Sequence, residues 1–306
     1  YNGKVLCTSG TRDLCEIMLK DSAYLQEKDV QHVNKKRILE GRTPFEPLYL
    51  PSDIDPVMTK FETVGYDQGI EIFPGITATF RDAGHLLGSA LTTLDYTENG
   101  KKKRLLFTGD LGRNNMPILK DPVIIKDVDL LITESTYGDR VHPPMEDVKG
   151  RLKGFIEDIY MQESKLIIPS FSVGRTQEIV YFLHEIYEQG RIPAIPVFVD
   201  SPLSTKATTI YQNHPECHDV ETTGLFNEGN RPFQFHGLSY ITETADSKKL
   251  NDMRGPCIII SSSGMCEGGR VVHHLANNIE NPRNIILFVG YQAENTLGRR
   301  IVDRIS

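Results

Sequence analysis

Four apolar runs constrain the fold more than any other feature of this chain. They are Leu166-Ile167-Ile168, Val197-Phe198-Val199, Cys257-Ile258-Ile259-Ile260 and Ile285-Ile286-Leu287-Phe288-Val289. Each is short and nearly uninterrupted by polar residues, the pattern of a strand covered on both faces. Between them lie segments of helical spacing, such as Ile179, Phe182, Leu183 and Ile186, and a stretch over 271–278. A longer helix is predicted over 145–162, with Leu152, Phe155, Ile156, Ile159 and Tyr160 on one face. Strands alternating with helices predict an α/β fold with a doubly wound, mainly parallel sheet. Residues 212–250 are less periodic and predict short helices and loops.

The first part of the chain reads differently. Ile76-Thr77-Ala78-Thr79-Phe80 and Ala90-Leu91-Thr92-Thr93-Leu94-Asp95-Tyr96 alternate at period two, and Asn99-Gly100 is a hairpin signal leading into a returning strand over 104–108. Helices are predicted over 13–19, capped by Thr11, over 32–39, and from 52 to 59. The pattern is strand-rich, with helices inserted.

Three strand ends deliver chemistry-bearing side chains. His85 follows Gly84, Asp110 ends Leu105-Leu106-Phe107-Thr108-Gly109, and Glu134 ends Asp129-Leu130-Leu131-Ile132-Thr133. A histidine and two carboxylates so placed suggest a hard-cation hydrolytic site. Each has a plainer reading: a core histidine, a turn cap, and a cap or surface charge. A carboxylate after so apolar a run is costly to desolvate unless paired or bound to a cation, which favours Asp110 as a ligand. In the second half, Ser170-Phe171-Ser172-Val173-Gly174-Arg175 and Ser261-Ser262-Ser263-Gly264-Met265 follow strands and precede helices. Hydroxyls, a glycine, a helix start and a guanidinium together resemble a phosphate cradle; simple helix capping is the alternative. In one parallel sheet, both turns belong on the carboxyl edge. Arg299 and Arg300 add cations near the chain end. His273 and His274 are adjacent, point apart on a helix and read as structural or surface residues, with an RNA contact as the lesser alternative.

Charge and cysteines bound the partners. A net charge of −7 over 306 residues argues against a generally basic coat for nucleic acid, but not against a local basic groove. The five cysteines show no CxxC spacing, which suggests reduced thiols and a cytoplasmic protein. His214 with Cys217 and His218 offers a metal cluster on paper, against a plain surface loop. No apolar run approaches the ~18 residues of a membrane span, so no membrane partner is expected, and no basic, apolar leader is seen. A chain opening on Tyr1 is expected to be a piece of a longer protein.

The stretches just quoted resemble the β-CASP branch of the metallo-β-lactamase superfamily, zinc nucleases of RNA processing. The resemblance rests on Asp82-Ala83-Gly84-His85-Leu86-Leu87-Gly88-Ser89, Phe107-Thr108-Gly109-Asp110-Leu111-Gly112-Arg113 and Thr133-Glu134-Ser135-Thr136-Tyr137-Gly138. It continues through the turns 169–178 and 262–270 to Phe288-Val289-Gly290-Tyr291-Gln292-Ala293-Glu294-Asn295-Thr296-Leu297-Gly298-Arg299-Arg300, in the family's order. It implies a partial metallo-β-lactamase αββα sandwich over residues 1–158 and a β-CASP domain over 159–306. It further implies that His85 binds one of two zinc ions, that Asp110 bridges both, and that Glu134 supports the site from behind the ligands. Ser170, Ser172, Gly174, Arg175, Ser262, Ser263, Gly264, Met265 and Arg299 would meet the backbone of single-stranded RNA, admitted by a cation-rich cleft that largely excludes a stiff duplex. A homodimer is compatible with it.

The chain departs from the family pattern at its ends. The His-x-His-x-Asp-His run is expected before residue 1 and the Ser-Ala-His segment and a later histidine after residue 306, so this chain alone is expected to be inactive or weakly metallated. The reading is therefore a zinc-dependent ribonuclease, cutting internally or from the 5′ end, in the intact parent. A non-catalytic RNA-binding or scaffolding paralogue is the alternative; a small-molecule hydrolase leaves residues 165–300 without a role.

Overall fold

The computed structural model describes residues 2–139, 141, 148–190 and 192–304. They form two compact units: Tyr1–Glu134 with Asn213–Cys217, and Ser135–Gln212 with His218–Ser306. The expected boundary at 158/159 falls in the last turn of helix α3 (Val148–Met161), which packs on the first strand of the second unit. The predicted start of that helix, at 145, lies outside the described residues.

In the first unit, β1 (Val5–Cys7) leads into α1 (Ser9–Leu39), then α2 (Pro51–Met58) and β2 (Phe61–Thr63), which pairs parallel with β1. Where two short helices were expected, α1 is one helix of 31 residues, because nothing between residues 20 and 31 is a glycine or proline that would break it. Its N-cap is Thr8, whose hydroxyl accepts from Thr11 N at 3.3 Å. β3 (Gly69–Phe73), β4 (Ile76–Asp82), β5 (Ala90–Glu98), β6 (Lys101–Phe107) and β7 (Leu130–Ile132) form one sheet in that order. β3 to β6 are antiparallel neighbours, and β7 joins β6 in parallel, so the ends of β6 and β7 point the same way. The hairpin between β5 and β6 turns at Asn99 and Gly100, both at positive φ, as a two-residue turn of that sequence requires.

The segment Asn213–Cys217 joins this unit through His214. Its Nε2 faces Asp13 Oδ2 at 3.0 Å and its Nδ1 faces Glu216 Oε1 at 2.7 Å. Burial works against a charged ring, but the bonds to Glu216 and Asp13 outweigh it and raise the His214 pKa. His218 Nε2 accordingly donates elsewhere, to Tyr211 O at 2.8 Å. His214, Cys217 and His218 are buried, so this stretch is no surface loop, and among the described residues it forms no group of three or more side chains that could hold a metal ion.

The second unit carries the parallel sheet. Its elements run α3, β8 (Lys165–Pro169), α4 (Arg175–Glu188), β9 (Val197–Asp200), α5 (Pro202–Asn213), α6 (Val220–Asn227), β10 (Leu238–Tyr240), α7 (Thr244–Asp252), β11 (Cys257–Ser261), α8 (Arg270–Asn278), β12 (Ile285–Ile286) and α9 (Leu297–Val302). The strand order is β10-β9-β11-β8-β12, every pair parallel. Leu166, Ile167, Ile168, Ile258, Ile259 and Ile260 are fully enclosed, each contributing about 1.5–3 kcal/mol of apolar burial. Cys266, Val271 and Leu275 pack with Ile167 against Ile286 and Phe288, which locks α8 onto the sheet. β12 is shorter than the expected 284–289, and β10 was not foreseen. No helix among the described residues is long and apolar enough to cross a membrane.

Candidate metal centre and phosphate cradle

In the first unit, the end of β4 turns sharply through Ala83 and Gly84 to present His85. Ser89 Oγ accepts from His85 N at 3.1 Å and Leu86 N at 3.2 Å, and the buried Leu87 anchors the turn. Asp82 Oδ1 accepts from Gly84 N at 2.9 Å; burial, only partly offset by that bond, pushes the Asp82 carboxyl up to about 6. The end of β6 presents Asp110. Its Oδ2 lies 3.7 Å from His85 Nε2, with side chains 76% and 40% exposed. The desolvation argument for Asp110 therefore does not apply, since the carboxylate is solvated; what singles it out is its distance to the imidazole.

Two contacts hold these loops in register. Glu134 Oε1, just past β7, accepts from Leu111 N at 2.7 Å. Gly112 N donates to Ala83 O at 2.9 Å, and Gly112 lies so close that a Cβ there would sit 1.9 Å from Gly84 O. The Asp110 loop is thus clamped to the His85 loop on one side and to Glu134 on the other.

Two ligands of one tetrahedral zinc, each about 2.0–2.2 Å from the ion, stand about 3.3–3.6 Å apart. An imidazole nitrogen and a carboxylate oxygen at 3.7 Å fit that arrangement with a small closure. They supply two donors of the roughly four that a zinc site takes; among the described residues, no group of three or more His, Cys, Asp or Glu side chains could hold a metal ion.

In the second unit, the ends of β8, β9 and β11 meet. Ser172 Oγ lies 3.3 Å from Ser201 Oγ, and Ser262 Oγ donates to Ser201 Oγ at 2.8 Å. Ser201, the residue after β9, is therefore the hub of a three-hydroxyl junction, although it lies outside every motif quoted above. Ser170 lies buried beneath, its hydroxyl accepting from Thr176 Oγ1 at 3.1 Å. Gly174 N donates to Gln177 Oε1 at 2.8 Å, while Gln177 Nε2 donates to Ser172 O and Thr208 Oγ1. That buried glutamine shapes the first turn.

The second turn is braced in the same way. Ser263 Oγ accepts from Glu267 N at 3.1 Å, Gly264 O from Gln292 Nε2 at 3.0 Å, and Met265 O from Gly298 N at 3.0 Å. Gly269 has φ +76° and would place a Cβ 2.3 Å from Ser262 O, so this turn closes only around a glycine. Both arginines foreseen here already hold carboxylates: Arg175 Nη1 with Glu178 Oε2 at 2.5 Å, and Arg299 Nε with Asp303 Oδ2 at 2.7 Å. Such solvent-screened pairs are weak, so a phosphate can compete for either guanidinium.

The fold and these turns define an α/β protein with a Beta-Casp domain, whose family model matches residues 176–301. The chain belongs to the β-CASP family of metallo-β-lactamase-fold proteins, a membership that implies dependence on a metal ion. It is 32% identical over 305 residues to a protein named ribonuclease TTHA0252 of Thermus thermophilus, covering 99% of this chain and 65% of that one. It is 35% identical to the transcription termination factor FttA of Methanocaldococcus jannaschii, covering 98% of this chain and 45% of FttA. An RNase J-like protein of the same archaeon is 30% identical, with 97% and 64% covered. The chain thus spans about half to two thirds of these relatives' lengths.

Proposed function

We propose that the protein carrying this chain is a zinc-dependent ribonuclease that hydrolyses phosphodiester bonds of single-stranded RNA. The observation that carries the proposal is the His85–Asp110 pair, 3.7 Å apart on two strand-end loops clamped together by Gly112 and Glu134. Two relatives named as ribonuclease or RNase J-like favour cleavage over a purely scaffolding role. His85 and Asp110 would be two of the side chains that hold the zinc. When bound, such ions supply Lewis acidity to the phosphodiester oxygens and to the attacking water. Glu134 keeps the Asp110 carboxylate oriented through Leu111 N. The hydroxyl junction and Arg175 bind and orient the RNA backbone.

Measured on the full-length protein, Asp110→Ala is expected to lower both bound zinc and RNA cleavage by more than the about 10–100-fold typical of a residue that only supports a ligand. Unchanged zinc content and cleavage would remove Asp110 from the site. Arg175→Ala is expected to weaken RNA binding and to reduce the slope of log affinity against log salt by about 0.7, the value for one phosphate contact on a single strand. An unaltered slope would mean that Arg175 meets no phosphate.

A further inference from the structure

Beneath the hydroxyl junction lies a buried ionic network that neither the metal nor the RNA backbone has been given a part in. Asp200, the last residue of β9, is completely enclosed. Its carboxylate accepts from Ser247 Oγ at 2.6 Å, His274 Nε2 at 2.6 Å and Arg270 Nη1 at 2.7 Å. Its backbone carbonyl accepts from Ser261 Oγ at 2.9 Å. One residue thus joins the ends of β9 and β11, the start of α8 and the body of α7, and the next residue is Ser201.

The hydrogen bonds fix the protons on His274. Asn278 Nδ2 donates to His274 O at 2.8 Å, so that atom is the amide nitrogen. The same nitrogen meets Asn251 at 3.1 Å, so Asn251 presents its Oδ1 there. His274 Nδ1 lies 2.9 Å from that same Oδ1 and must carry a hydrogen. Nε2 faces a carboxylate and must carry one as well, unless the proton sits on Asp200. Burial raises the Asp200 pKa, but the bonds from His274, Ser247 and Arg270 outweigh it and hold the carboxyl below its ordinary range. Arg270 Nη1, 2.7 Å from the other carboxylate oxygen, favours the ionised Asp200, so the proton stays on the ring. The other charged groups around it are Arg270, one turn earlier in α8, and Lys165 of β8, whose Nζ is committed to Leu250 O and Asn251 O.

We propose that Asp200 and His274 are positioning residues of the phosphate cradle: the doubly protonated His274 ring holds the Asp200 carboxylate, and with it the Ser172–Ser201–Ser262 hydroxyl junction, in its RNA-binding arrangement. This rests on the reading of that junction as an RNA contact.

The test is RNA binding by the full-length protein, alongside histidine 15N NMR. In the unaltered protein, His274 should show two protonated ring nitrogens. His274→Gln should bind RNA about three- to tenfold more weakly, while His273→Gln, its exposed neighbour, should behave as the unaltered protein. A singly protonated His274 overturns the proposal, and this reading needs no variant to fold. If Ser262→Ala weakens binding but a folded His274→Gln leaves affinity unchanged, the positioning role alone is wrong. If neither Ser262→Ala nor Arg175→Ala alters binding, the cradle reading fails and takes the positioning role with it.

Discussion

Gly112→Ala is expected to disable the proposed metal centre without changing either of its proposed ligands. A Cβ at residue 112 would lie 1.9 Å from Gly84 O, 2.1 Å from Gly84 C and 2.7 Å from His85 N. All three are backbone atoms, so no side-chain rotation relieves the clash, and one loop must move. The bond from Gly112 N to Ala83 O, now 2.9 Å, is the clamp that would be lost. Overpacking of this kind costs about 1–3 kcal/mol. The larger consequence is geometric, since a displacement of about 1 Å at a catalytic constellation can lower the rate by about 10²-fold. In the full-length protein we expect a lower melting temperature, weaker zinc binding by calorimetry and a matching loss of cleavage. Unaltered zinc affinity in a folded Gly112→Ala protein would show that the Asp110 and His85 loops are positioned independently.

That prediction depends on a contact the sequence announces only indirectly. The glycines flanking His85 and Asp110 stand out in a string of residues, but their facing one another across 28 positions does not. What is legible is whatever local chemistry decides. β8 and β11 read as strands because both their faces are covered, leaving no polar alternation. Asn99-Gly100 reads as a hairpin because few other pairs tolerate two positive φ values. The long helix α1 was divided in two because only Gly10, Leu14 and Ala23 along it are buried, so its middle offers no apolar period. β10 escaped notice because three residues, Leu238–Tyr240, become a strand only through pairing with β9.

The sites show the same division. His85, Asp110 and Glu134 stand at strand ends, where a sequence motif can point. The mutual distance and the solvent exposure of Asp110 are tertiary facts. Ser201 had a visible signal, a small hydroxyl residue directly after an apolar run, as at Ser170 and Ser261. Nothing local connects residues 200, 247, 251, 270, 274 and 278, and adjacent His273 and His274 differ completely in burial only because of how α8 lies on the sheet.

The Asp200 network also allows stability to be separated from positioning. Removing one partner of a buried ionic group costs about 3–5 kcal/mol, mainly because the remaining charges lose their compensation, although the intact group contributes little net stability over an apolar replacement. Asp200→Ala should therefore destabilise the protein by about that amount in urea unfolding, stranding Arg270 and a ring whose Nε2 has no acceptor. His274→Ala alone removes one donor from a carboxylate that keeps Arg270 and Ser247, so its cost should be smaller. Combining Asp200→Ala with His274→Ala should cost less than the two single changes together, by about 0.5–3 kcal/mol of coupling. RNA affinity should not show that saving, because the double variant still lacks the strut beneath Ser201. Strict additivity in unfolding would show that the two side chains do not share a bond. RNA affinity that tracks stability through all three variants would show that the network acts only by keeping the domain folded.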